Sequence, residues 1–214
     1  MRVCVTGSTG FVGRGVVRYL LNAGYDVNAI TRKQAENNID GKLRYFSGQV
    51  LSADDLVRTM AGCDALVHLV GARRKDLQRT GLTYDDVDVK SVDVAVGVMK
   101  RLEMRRIVLL SAGAIGKSVY VRSKAKAERV VQDSKLDWTI LRPAFIVGPG
   151  QQWPVIMGPI LKVMSLIPGR FGEVAKLSQN VTRDELAKAI VHSLERPESI
   201  GKIFNVPELL EIVR

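Results

Sequence analysis

The segment SVYVRSK, beginning at Ser118, sets Tyr120 four residues before Lys124. On a helix that spacing brings both side chains to one face. An ammonium there favours the phenolate, drawing a phenol from its ordinary value of about 10 toward the range of a working acid–base group. A second pattern is VCVTGSTGFVGRGVV, in which Gly7, Gly10 and Gly13 recur every third residue. Between a strand and a helix, such a turn lets a dinucleotide pyrophosphate approach the backbone, meet unpaired amides and lie at the positive end of a helix dipole. A third is AITRKQ, where Arg32 and Lys33 stand at the position at which an NAD-selective site offers a carboxylate to the ribose. A guanidinium suits a 2′-phosphate instead, and Arg14 at the start of the first helix reaches for the same group, so NADP is expected, with NAD the less favoured alternative.

These residues need a scaffold, and the apolar pattern supplies one. Short β-branched runs alternate with helical periodicity, the order of an α/β protein with a parallel sheet. Strands are expected at Arg2–Val5, Tyr25–Ile30, Leu43–Phe46, Ala65–Val70, Ile107–Leu110, Trp138–Leu141 and around Lys202–Asn205. Helices are expected at Phe11–Ala23, with Val12, Val16, Val17, Leu20 and Leu21 inward, at Ala53–Met60 capped by Ser52, and at Asp86–Glu103, Tyr120–Asp133 and Arg183–Glu195, the last capped by Thr182. Residues 148–172 are punctuated by Pro and Gly. The expectation is one Rossmann-type, doubly wound parallel sheet over residues 1–214, with a small substrate-side elaboration in 149–214.

Composition narrows the class. The chain's 214 residues, 46% hydrophobic and 25% charged, suit one well-buried globular domain. No apolar run approaches the roughly 20 residues that span a bilayer, so no membrane span is expected. MRVCVTGSTG enters a strand and turn directly, which reads as a cytoplasmic protein. Cys4 and Cys63 are read as reduced structural thiols, and no Cys/His cluster suggests a metal. The net charge of +10 is spread along the chain, and Arg73-Arg74-Lys75 and Arg105-Arg106 lack interleaved aromatics, so no nucleic acid partner is expected.

Four segments resemble the short-chain dehydrogenase/reductase superfamily, in its extended or atypical branch with nucleotide-sugar epimerases and dehydratases. They are TGSTGFVG from Thr6, GCDALVHLVGA from Gly62, LLSAGA with YVRSKAKAE, and WTILRPAFIVGPG from Trp138. RSKAKAE with ILRPAFIVGPG is most similar to the group containing the NADPH-binding accessory subunit of respiratory complex I and its prokaryotic relatives. The resemblance implies that Tyr120 exchanges a proton with substrate and that Lys124 binds the nicotinamide ribose and activates the tyrosine. It also implies cofactor contacts from Gly7, Ser8, Thr9, Gly10, Phe11, Val12, Gly13 and Arg14, from Gln49 and Val50, from Leu69, Val70 and Gly71, and from Pro143, Phe145 and Ile146.

Three departures from the family stand out. Ser111 lies about one position before the usual catalytic hydroxyl and stays the catalytic candidate if the strand end is shifted, with Ser118 as a substitute; nine positions separate Ser111 from Tyr120; and SGQV replaces the common Gly-Asp near adenine. The region beyond Gly148 suits a small, acidic or flat aromatic substrate. Arg73, Arg74, Lys75, Lys117 and Arg122 are either its attractants or ordinary solvated charges. Pro149, Trp153, Pro154, Met157 and Met164 either wall the pocket or pack on the core. His68 reads as buried or flanking the cofactor. Three functions stay open: an NADP-dependent oxidoreductase acting on a small carbonyl, hydroxyl or quinone-like substrate; a non-catalytic NADPH sensor or complex subunit; and a nucleotide-sugar epimerase or dehydratase completed by a homodimer.

Overall fold

The computed structural model describes residues 1–32, 41–72, 74–113, 118–149 and 170–213, with only the backbone of 170–172. Lys33, Arg73, Lys117, Trp153, Pro154, Met157 and Met164 lie outside the described residues. The chain runs β1 (Arg2–Thr6), α1 (Phe11–Asn22), β2 (Asp26–Thr31), β3 (Leu43–Ser47), α2 (Ala53–Met60), β4 (Ala65–His68) and α3 (Arg74–Thr80). It continues through α4 (Tyr84–Arg101), β5 (Arg106–Leu110), α5 (Val119–Gln132), β6 (Asp137–Arg142) and β7 (Phe145–Val147). It closes with α6 (Arg170–Leu177), β8 (Asn180–Thr182), α7 (Arg183–Glu195), β9 (Lys202–Asn205) and α8 (Val206–Glu211).

Seven parallel strands pair in the order β3-β2-β1-β4-β5-β6-β9. Parallel neighbours require crossovers, and the helices they carry cover both faces of the sheet. The strand period of two then builds two cores. Val3, Val5, Val108 and Leu110 face Val16, Val17 and Leu20 of α1 and Leu186 and Ile190 of α7. Cys4, Ile107 and Leu109 face Leu56 and Met60 of α2, Val92 and Met99 of α4, and Val131 of α5. This is the doubly wound Rossmann-type sheet the alternation predicts. Strands β7 and β8 form a separate parallel pair.

Helix starts follow their caps. Ser52 and Thr182 cap α2 and α7 as expected, the latter in a reciprocal box with Glu185. Thr83 and Asp86 make a second box, so α4 begins at Tyr84 rather than at Asp86 and takes in Tyr84 and Asp85. The sequence pattern does not announce α3, β7, β8, α6 or α8. The two strands have three residues each, α3 buries no side chain, and α8 starts beside Pro207 immediately after a strand.

The C-terminal third is bound into the body of the fold by Arg106. Its guanidinium donates to the carbonyls of Asp137 and Ser193 and to the hydroxyls of Thr139 and Ser199, linking β5, β6 and the end of α7. Burial draws this arginine down to about 10, so the hydrogen bonds offset a real desolvation cost. Replacement by Met removes the donor to the Asp137 and Ser193 carbonyls and to the Thr139 and Ser199 hydroxyls, and with it the link between β5, β6 and the end of α7. Arg106→Met is expected to lower stability by about 3 kcal/mol, read as a lower urea midpoint at unchanged slope.

Candidate functional site

Parallel strands end together, so Thr6, His68, Ser111 and Arg142 come to the same edge of the sheet although 136 positions separate the first from the last. At β1 the chain turns through Gly7 at φ +72°, a conformation that suits glycine. A Cβ at Gly7 would lie 2.9 Å from the Leu69 carbonyl, and one at Gly13 would lie 2.2 Å from the Gly7 carbonyl oxygen. The turn can therefore close against β4 and α1 only without side chains. Gly10 caps α1 without a side-chain hydrogen bond, and no acidic residue stands in the first turn. Thr9, Gly10 and Arg14 are exposed, and Phe11 and Val12 are half-buried. Ser8 points inward and donates to the Ile30 carbonyl at 3.0 Å.

Arg32 is exposed at the end of β2. Beyond β3, the Gln49 amide donates to Asp55 Oδ2 at 2.9 Å, and a Cβ at Gly48 would sit 2.8 Å from the Asp55 side chain. Asp55 thus shapes the turn, leaving the Gln49 side chain exposed and Val50 half-buried. Pro143 is buried, and its carbonyl accepts from the Gly113 amide at 2.8 Å. Ile146 is half-buried and Phe145 exposed in β7. Arg74 and Lys75 lie exposed on α3.

Tyr120 and Lys124 share one face of α5, as their spacing predicts. Lys124 is buried: its ammonium donates to the Val70 carbonyl at 2.9 Å and pairs with Asp88 Oδ1 at 3.1 Å, the two side chains being 6% and 0% exposed. Leu69 and Val70 are half-buried, and Gly71 lies where a Cβ would stand 3.4 Å from Lys124 Nζ. Asp88 Oδ1 also accepts from the Ala72 amide at 3.0 Å. Glu128, the next turn of α5, pairs with Arg142 at the end of β6.

One expectation reverses. The ammonium was expected to lower the tyrosine, yet Tyr120 is pushed up to about 12, first by burial, then by the Asp88 carboxylate and Tyr84. Asp88 offsets the charge that Lys124 would otherwise present. The two serines also separate. Ser118 caps α5, its oxygen accepting from the Val121 amide at 3.2 Å, whereas the buried Ser111 hydroxyl has no partner among the described residues. Asp88 and Tyr84 escaped the sequence reading because acidic and aromatic residues on an amphipathic helix carry no signature of their own.

His68 is fully buried between Thr6 Oγ1 at 3.0 Å from Nδ1 and Ser91 Oγ at 3.1 Å from Nε2. Burial, then the Lys124 charge, depresses it to about 3, so it is neutral.

A family model described as NAD(P)H-binding matches residues 7–197. The chain belongs to this NAD(P)H-binding family, within the short-chain dehydrogenase/reductase superfamily. Among curated relatives, the mitochondrial NADH dehydrogenase [ubiquinone] 1 alpha subcomplex subunit 9 of Dictyostelium discoideum is 24% identical, the match covering 94% of this chain and 57% of the subunit. The chain thus spans little more than half of that relative's length. Vestitone reductase of Medicago sativa is also 24% identical, over 99% of this chain and 78% of its own. Among solved structures, MoeE5 in complex with UDP-glucuronic acid and NAD superimposes with a TM-score of 0.73 at 19% identity, covering 96% of this chain and 76% of its own. The oxidoreductase ylbE from Lactococcus lactis gives 0.71 at 21% identity, covering 99% and 95%.

The three glycines let the turn close on Leu69 and on its own carbonyls at the start of α1, whose amides carry no side-chain cap. The residues present fit a dinucleotide. Among the described residues no helix is long and apolar enough to cross a membrane.

The neutral His68 makes a pH prediction. The unfolded chain takes up a proton on histidine near about pH 6.5, the folded one only near about 3, so stability is lost as pH falls through that window. The expected slope is about 1.4 kcal/mol per pH unit in urea unfolding below neutrality, and His68→Gln should flatten it.

Proposed function

We propose that the protein is an NADP-dependent oxidoreductase acting on a small carbonyl, hydroxyl or quinone-like substrate. The observation that carries this reading is the buried Lys124 ammonium, held at the end of β4 one helical turn from Tyr120, with the Ser111 hydroxyl, partnerless among the described residues, at the end of the neighbouring strand. In this reading the nicotinamide supplies hydride chemistry when bound. The chain's own residues do the rest. The glycine turn, Phe11 and Val12 hold the pyrophosphate through backbone amides; Gln49 and Val50 meet the adenine; and Lys124, Leu69, Val70 and Gly71 hold the ribose. Pro143, Phe145 and Ile146 border the nicotinamide. Ser111 fixes the substrate oxygen, and Tyr120 exchanges a proton with it. Residues 1–214 act as one NAD(P)-binding unit whose substrate side lies in 149–214. The exposed Arg32, with Arg14, supports the preference for a 2′-phosphate.

A second reading, an NADPH-binding subunit without turnover, is favoured by Asp88, which offsets the charge on Lys124. The Dictyostelium relative is itself a subunit by its name. Turnover separates the two. Tyr120→Phe is expected to cut NADPH oxidation, followed by nicotinamide absorbance against a panel of quinones, aldehydes and ketones, by about 10²-fold or more while cofactor affinity stays within a few fold. No oxidation by the unchanged protein across the panel, with binding confirmed by fluorescence, favours the second reading. For the cofactor, Arg32→Glu is expected to weaken NADPH at least about tenfold relative to NADH in the same titration.

A further inference from the structure

Arg183 opens α7, and its half-buried side chain reaches back to α1. The stem lies beside Gly15, where a Cβ would stand 3.5 Å from Cδ and from Nε, and beside Gly148 just after β7, where a Cβ would stand 3.0 Å from Nε and 3.2 Å from Cγ. The guanidinium ends 5.2 Å from the ring centre of Phe11, the first residue of α1. Gly15 follows Phe11 by about one helical turn, so the side chain runs along α1 toward its N-terminus. There Gly10 makes no side-chain cap and no acidic residue stands in the first turn. The charge lacks a counterpart. Nε is buried without a hydrogen-bond partner among the described residues, and no ion pair among them includes Arg183. Asp184 is exposed, Glu185 belongs to the Thr182 cap, and residues 149–172 contain no Asp or Glu. The face of Phe11 attracts a cation, yet it offers no oxygen to a guanidinium fork shaped for phosphate or carboxylate. A half-buried guanidinium with no carboxylate beside it is costly until an anion joins it.

We propose that Arg183 binds the diphosphate of the dinucleotide, adding a charged contact from α7 to the glycine turn. The proposal rests on the placement of the dinucleotide at that turn and is independent of turnover. The amides at the start of α1 and this guanidinium share the diphosphate charge, and the Phe11 ring steadies the arginine next to them. Its role is distinct from that of Arg32 and Arg14, which concern a 2′-phosphate that only one of the two cofactors carries. Arg183 serves a group that NADH and NADPH have in common, and through it the C-terminal part of the chain contributes to cofactor affinity.

The test is a fluorescence titration with NADPH and with NADH, using ADP-ribose and adenosine as competitors and no substrate. Arg183→Met, which keeps an apolar stem beside Gly15 and Phe11, is expected to weaken NADPH, NADH and ADP-ribose alike, by about tenfold, and to leave adenosine unchanged. Arg183→Lys, which keeps the charge without the fork, should recover part of the loss. Arg183→Gln serves the same titration if the methionine variant does not fold. Unchanged binding of all three diphosphates in a folded neutral variant overturns the proposal, as it would if the guanidinium served an acidic substrate instead. An equal loss of adenosine also overturns it, because the role is then one of packing, and so does a loss confined to NADPH, which puts the arginine on the 2′-phosphate. Gly10→Asp reports separately on the placement. A carboxylate at the N-cap of α1 should abolish diphosphate binding while suiting the helix, and if binding survives, the dinucleotide lies elsewhere whatever Arg183 does.

Discussion

A lysine ammonium cannot stay out of water unless it is paired, and much of this site follows from where Lys124 finds its partners. It takes a carboxylate from α4 and a carbonyl from the end of β4. That demands that α4 and α5 lie side by side over one face of the sheet, with β4 ending beneath them. The same contact divides α4. Val92, Ala95, Val96 and Met99 fill the core, while Tyr84, Asp88 and Ser91 turn toward the site. One helix therefore holds the fold and sets the charge of the pair above it.

The sheet supplies the other half of the constraint. Parallel strands bring their carboxyl ends to a common edge, so residues distant in sequence meet without any local motif joining them. Thr6 from β1 and His68 from β4 bond directly, Ser91 extends the chain of contacts to α4, and Arg142 from β6 grips Glu128 on α5. On the opposite face α1 packs against α7, where Gly15 adjoins the Arg183 side chain, whose guanidinium lies 5.2 Å from the Phe11 ring centre. The glycine turn is thus supported from a segment that the sequence pattern reads as remote from it.

Much of this architecture was legible because it rests on short-range rules. The alternation of apolar runs with helical periodicity names the parallel sheet, Ser52 and Thr182 mark helix starts, and the three glycines announce a turn too tight for a Cβ. The elements that escaped depend on partners far along the chain. Strands β7 and β8 have three residues each and exist as strands only through one another. Among site residues, Tyr120 and Lys124 stand out because their separation is itself a pattern, and Asp88 does not, because its meaning lies in an element 36 positions away.

What the sequence by itself determined is the fold class, the glycine cradle and the shared face of Tyr120 and Lys124, all consequences of backbone geometry within a few residues. What only the tertiary structure decided is the electrostatics of that face. Spacing alone predicts that an ammonium lowers a neighbouring phenol; the folded chain raises it to about 12, because burial and a carboxylate from another helix outweigh the lysine. Charge acts through space, and local sequence does not record which distant residues share that space.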